Sequence, residues 1–164
     1  MKTLFLTLIS FIFISCGYKP TMYYSKDILG DKIFVEVQTS LEDPENTVLI
    51  RDAINEAVIM KFRSRIVAKK DARSILSMKL KRVSFLPIQY DKNGYVIAYK
   101  TYVDLLTKYR DKNGQGGEIL SRGDYDFAIE SNSVISDTKR FEAIKNASYK
   151  AVDEFISKLS IKGI

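Results

Sequence analysis

The 164-residue chain contains no histidine and a single cysteine, Cys16. Without histidine it lacks the commonest general base and the commonest protein metal ligand. Serine–histidine and cysteine–histidine nucleophilic arrangements are therefore excluded, and zinc has no nitrogen–sulfur set to bind. A phosphate-binding glycine loop is also missing, because Gly114, Gly116 and Gly117 fall in a predicted hairpin with no helix behind it. No apolar run reaches the ~20 residues that a membrane-spanning helix needs, and there is no internal repeat, low-complexity segment or second-domain linker. Carboxylates are the only groups left for chemistry. Asp124 and Asp126, two apart on a predicted strand, project to one side in the spacing of a carboxylate pair, a pattern that a solvated strand face produces more often. Glu42, Asp43 and Glu45 gather at a predicted helix start, where the helix dipole favours negative charge. The one enzymatic reading the residues leave open is a carboxylate-dependent hydrolase acting through Asp124 and Asp126, and no metal or cofactor is expected.

What is present is ordinary globular composition, with 46% hydrophobic and 28% charged residues in a length suited to one core. The amino terminus differs. Lys2 is followed by an almost wholly apolar stretch, Leu4 to Ile14, which is the layout of a secretory signal. It ends in Phe13-Ile14-Ser15-Cys16, which resembles a bacterial lipobox. That resemblance implies cleavage before Cys16 and acyl chains on its sulfur and new amino terminus. Each buried CH₂ contributes roughly 0.8 kcal/mol, so two or three chains make a stable anchor where one is marginal. The expected organisation is a cleaved signal at 1–15, a lipidated tether at 16–30 and one domain at 31–164. Gly17 in place of an aspartate makes the outer membrane the expected destination. Cleavage removes only Lys2 among charged residues, leaving 25 basic and 20 acidic side chains. A surplus of this sign suits a membrane surface or an acidic glycolipid, and export argues against nucleic acid.

Within the domain, Lys32 to Thr39 alternates as a strand, with Ile33, Val35 and Val37 on one side. Asp43-Pro44 reads as an N-cap with proline at the first helical position, and Ile50, Ile54, Val58, Phe62 and Ile66 form the apolar stripe behind it. Ile75 to Tyr90 places Leu76, Met78 and Leu80 on one face and then shifts phase to Val83 and Phe85, which predicts a bulge near Lys81-Arg82. Asn93-Gly94 marks a tight hairpin into a strand from Tyr95 to Arg110. A looser hairpin at 111–117 leads to the last strand, carrying Ile119, Ser121, Gly123, Tyr125, Phe127 and Ile129. Ser136 or Asp137 caps a final helix whose stripe includes Phe141, Ile144, Val152, Phe155 and Leu159. The order β-α-β-β-β-α predicts an α+β two-layer sandwich, two helices packed on one face of a four-stranded, mainly antiparallel sheet. The other face would stay uncovered, with Tyr102, Leu106 and Leu120 among charged residues.

The lipobox running into Gly17-Tyr18-Lys19-Pro20, this element order, and the stretches "LEDPENTVLIRDAINEAVI", "PIQYDKNGYVIAY" and "ISDTKRFEAI" together resemble the LPS-assembly lipoprotein LptE family in its epsilon-proteobacterial form. The resemblance implies a protein that is not an enzyme: an outer-membrane lipoprotein that plugs the β-barrel LptD, supports its assembly and binds lipopolysaccharide or lipooligosaccharide on its way to the cell surface. No short motif carries the family's ligand residues onto this chain. Lys79, Lys81, Arg82, Lys92 and Lys100, around the second and third predicted strands, are the candidates that geometry offers, since charge-assisted contacts to phosphate or acidic sugars are strong where water is partly excluded. The alternative is a periplasm-facing lipoprotein that serves as a scaffold module of another envelope complex.

Overall fold

The computed structural model describes residues 28–38, 44–62 and 64–162. Cys16, the signal and Asp43 lie outside these residues. In chain order the elements are β1 (Lys32–Gln38), α1 (Pro44–Lys61), β2 (Arg65–Ile66), β3 (Ser74–Tyr90), β4 (Val96–Arg110), β5 (Gly116–Ala128) and α2 (Asp137–Lys162). The strands form one sheet in the order β2-β1-β3-β4-β5.

The sheet corrects the sequence reading in two ways. It has five strands rather than four, because Arg65 and Ile66 pair with Lys32 and Ile33. Ile66 therefore belongs to an edge strand and not to the first helical stripe, which closes at Phe62 just beyond the end of α1. A two-residue strand has no alternation to betray it. The sheet is also mixed: β1 runs parallel to both β2 and β3, whereas β3-β4-β5 is antiparallel. A helix inserted between two neighbouring strands carries the chain back to the same end of the sheet, so the second strand starts beside the start of the first.

Two hairpins build the antiparallel part, and both are written Asp-Lys-Asn-Gly. In the first, Asp91 Oδ1 accepts from the Asn93 N–H at 2.8 Å and the Tyr95 N–H at 2.9 Å. In the second, Asp111 Oδ1 accepts from Asn113 at 2.9 Å and Gln115 at 2.8 Å. Gly94 and Gly114 take φ of +86° and +83°, where a side chain would be strained. The second turn is therefore as tight as the first, not looser, because the aspartate side chain organises each one. Asp91 sits below the usual carboxylate range chiefly because the Ser131 hydroxyl donates to it, with its own turn N–H groups adding to this.

Both helices lie on one side of the sheet. Helix α2 crosses β4 and β5, and α1 packs against α2 and β1. The core between the layers takes Ile33 from β1, Leu76 and Met78 from β3, Val103 and Leu105 from β4, and Ile54, Ile144, Val152 and Phe155 from the helices. Full burial of an aliphatic or aromatic side chain of this size contributes about 1.5–3 kcal/mol. Leu29, ahead of β1, is also fully buried, and the hydroxyls of Ser64 and Ser74 donate to the carbonyls of Gly30 and Leu29 at 2.7 Å and 2.6 Å. The layers approach closely at Gly123. A β-carbon there would stand 1.9 Å from the Ala147 carbonyl oxygen and 2.4 Å from the Ala151 nitrogen. Glycine on β5 and the small residues Ala147, Ser148 and Ala151 on α2 thus let helix and strand backbones touch. Ser136 opens this helix, its carbonyl accepting from Arg140 at 2.9 Å and its hydroxyl from Lys139 at 3.4 Å.

Candidate functional site

Among the described residues no helix covers the opposite face of the sheet, and its composition follows from strand register. Since side chains alternate, the residues that flank the core positions line up in rows across β3, β4 and β5. One row is Arg82, Asp104 and Arg122, a second is Leu86, Lys100 and Asp126, and a third is Lys79, Leu106 and Leu120. The first two rows settle their charges within the sheet.

Asp104 occupies the centre of the first row and is nearly buried. Arg122 reaches it with two nitrogens, Nε to Oδ1 at 2.6 Å and Nη2 to Oδ2 at 3.1 Å, while Arg82 Nη2 approaches Oδ2 at 2.9 Å. Hydrogen bonding from Arg122, reinforced by the charges of both arginines, holds the Asp104 carboxyl below the usual carboxylate range against the opposing effect of burial. The same carboxylate raises the Arg122 guanidinium, which also lies 5.8 Å from the centre of the Tyr102 ring. In the second row, Lys100 Nζ is 3.3 Å from Asp126 and 3.9 Å from Asp124, and Asp126 is the main cause of its raised pKa. Asp124 is also 3.4 Å from Lys150 of α2. Asp124 and Asp126 are therefore an ion-paired strand face. Among the described residues no group of three or more histidine, cysteine or carboxylate side chains is arranged to hold a metal.

The third row is different. A shallow groove of about 400 Å³ is lined by Gln38, Ser77, Lys79, Lys81, Leu106 and Lys108. Lys79 and Lys81, two apart, reach the open side by strand alternation, and the register shift between Leu80 and Arg82, with Lys81 as the extra residue of a bulge, brings Arg82 to the same face. The change of phase along the sequence announced this bulge. Lys79 and Lys81 make no ion pair or side-chain hydrogen bond with the described residues, and Lys108 is 3.7 Å from Glu118.

The structure thus divides the five candidate basic residues. Lys79 and Lys81 share the groove, joined by Lys108, whose even spacing is visible in the sequence. Arg82 and Lys100 are committed to carboxylates, and Lys92 stands exposed on the β3–β4 turn, away from the groove. The sequence does not show which lysines are neutralised, because the neutralising aspartates sit on another strand.

A family model described as LptE, lipopolysaccharide-assembly, matches residues 34–159. The chain belongs to the LptE family. Its members are lipopolysaccharide-assembly lipoproteins of the outer membrane and are not enzymes. No individually curated protein matches the sequence. Among solved structures, rare lipoprotein B from Shewanella oneidensis is similar at 13% identity and TM-score 0.45, over 80% of this chain and 96% of that one. Lipoprotein B from Nitrosomonas europaea is similar at 10% identity and TM-score 0.40, covering 81% and 84%. The PelC dodecamer subunit from Paraburkholderia phytofirmans gives 16% identity and TM-score 0.37, over 73% and 87%. Within this LptE-family chain, no described helix is long and apolar enough to cross a membrane.

Proposed function

We propose that this chain is an outer-membrane lipoprotein, held by acyl chains on Cys16, that plugs and supports assembly of an LptD-type β-barrel and contacts lipopolysaccharide during its delivery to the cell surface. Family membership supports the class of role. The observation that carries the ligand contact is the groove on the uncovered face, where Lys79 and Lys81 stand without carboxylate partners among the described residues beside Lys108 and the apolar Leu106. Phosphate or acidic sugar groups fit such a cluster, since an uncompensated ammonium gains most from a charged acceptor. The groove is too shallow and too basic to take acyl chains, so the contact is with the headgroup and is transient.

Affinity purification from membranes tests the barrel role. Recovery of a large β-barrel protein is the expected result, and its consistent absence in favour of another envelope complex would overturn it. Titration with lipopolysaccharide tests the groove. Lys79→Glu combined with Lys81→Glu is expected to weaken binding at least tenfold, whereas Lys92→Glu changes it little; equal affinities for all three proteins would remove the groove from the reading.

A further inference from the structure

The two ends of the sheet differ in charge, and the chain enters at the basic one. Ile28 to Lys32 lead into β1, and the backbone there is ringed by cations. A β-carbon at Gly30 would stand 3.8 Å from the Arg73 side chain and 3.9 Å from that of Lys112. The Lys112 N–H donates to the Ile28 carbonyl at 3.4 Å, the Arg65 N–H to Asp31 at 2.9 Å and the Arg73 N–H to Lys32 at 3.0 Å. The single turn Lys69–Asp71 joins β2 to β3 with no residue buried, and Arg110, paired in register with Ile75, completes the rim. Arg65, Lys69, Lys70, Arg73, Arg110 and Lys112 are all exposed.

The acidic residues at this end do not cancel them. Asp111 is buried and its Oδ1 accepts the N–H groups of its own hairpin. Asp31 is 3.9 Å from Arg73, Glu118 is 3.7 Å from Lys108, and Asp71 lies in the exposed turn itself. At the far end of β3, by contrast, Leu86, Ile88, Tyr90 and Tyr95 are exposed and apolar. At a rise of about 3.3 Å per residue, the 17 residues of β3 separate the two ends by roughly 55 Å.

We infer that the basic end is a docking surface for the anionic headgroups of a bilayer. Residues 17–27 separate Cys16 from Ile28, and at full extension they reach at most about 40 Å. A chain anchored at Cys16 therefore presents this end to the lipid first, within range of a surface that attracts clustered lysine and arginine. The orientation rests on the lipid-anchor reading; the charge distribution does not.

Amide hydrogen exchange of the full chain, purified from membranes and placed on phosphatidylcholine vesicles with or without about one-third phosphatidylglycerol, tests the inference. Exchange over residues 65–73 and 110–116 is expected to slow several-fold on the anionic vesicles only. The effect should vanish in about 1 M salt, where the Debye length falls to ~3 Å, and in the triple variant Lys69→Glu, Lys70→Glu, Lys112→Glu, while Lys79→Glu with Lys81→Glu retains it. Equal exchange on both vesicle types, or protection that survives the triple variant, would overturn the docking surface. The intact mass of the purified chain reports the anchor separately. An unacylated chain that still gains salt-sensitive protection on anionic vesicles keeps the docking surface and removes the anchor; an acylated chain without that protection does the reverse.

Discussion

On the helix-covered face of the sheet, Leu76, Met78, Val103 and Leu105 are withdrawn from water, and Gly123 meets the backbone of α2. On the other face, carried by the alternate residues of the same strands, arginine, lysine and aspartate form cross-strand rows that leave Lys79 and Lys81 over. The covered face is constrained by volume, because backbone and close-packed side chains have nowhere to move. The open face is constrained by charge balance, because solvated side chains can rearrange but an uncompensated ion stays available for a ligand. Stability should therefore reside in the first face and binding in the second.

The sharpest way to break that division is Gly123→Ala. Its methyl would have to displace α2 from β5, and overpacking of this kind is expected to cost about 3 kcal/mol, read as a lower urea midpoint. Retention of the wild-type midpoint would mean that the helix slides freely over the sheet. Asp104→Ala probes the one place where the open face also carries stability. It leaves Arg82 and Arg122 facing one another, but both guanidinium groups are about half exposed, so solvent screening limits the loss to roughly 1–2 kcal/mol.

Asp104 also predicts a pH dependence. Its carboxyl is depressed in the folded state, so the unfolded chain binds the proton more readily. The stabilisation is present above the unfolded value of about 3.9 and is lost as pH falls through the folded value. Urea midpoints measured from neutral pH into acid should fall less steeply for Asp104→Asn than for the wild type; parallel curves would exclude Asp104 as a source of the acid loss. The smallest effect sharpens the comparison from the other side. Lys79→Glu with Lys81→Glu should leave the unfolding free energy within about 0.5 kcal/mol of wild type, even as it weakens glycolipid binding.

Legibility in the sequence follows the same division. The strands β3 and β4, the stripe of α2, the Asn93-Gly94 turn and the bulge near Lys81-Arg82 all leave local periodic or turn signals, and the structure contains each of them. The second hairpin is tighter than its three glycines suggest, because the Asp111 side chain closes the turn. Strand β2 left no signal, and Ile66 matched the helical spacing by coincidence of position. Of the candidate binding residues, Lys79 and Lys81 meet in one groove, while Arg82 and Lys100 face aspartates that lie far along the chain.

Alternation and helical spacing by themselves determined which residues face the core, because each depends only on backbone geometry within one element. Family membership was likewise written in the chain, in stretches that span the domain. The tertiary structure alone decided which cations remain free, because neutralisation depends on the register between strands: Asp104 reaches Arg82 and Arg122 only when β3, β4 and β5 are aligned. It also decided that Arg65, Arg73, Arg110 and Lys112, dispersed along the sequence, gather around the point where the chain enters. Parallel return of β3 to the start of β1 brings them there, and no local signal encodes that return.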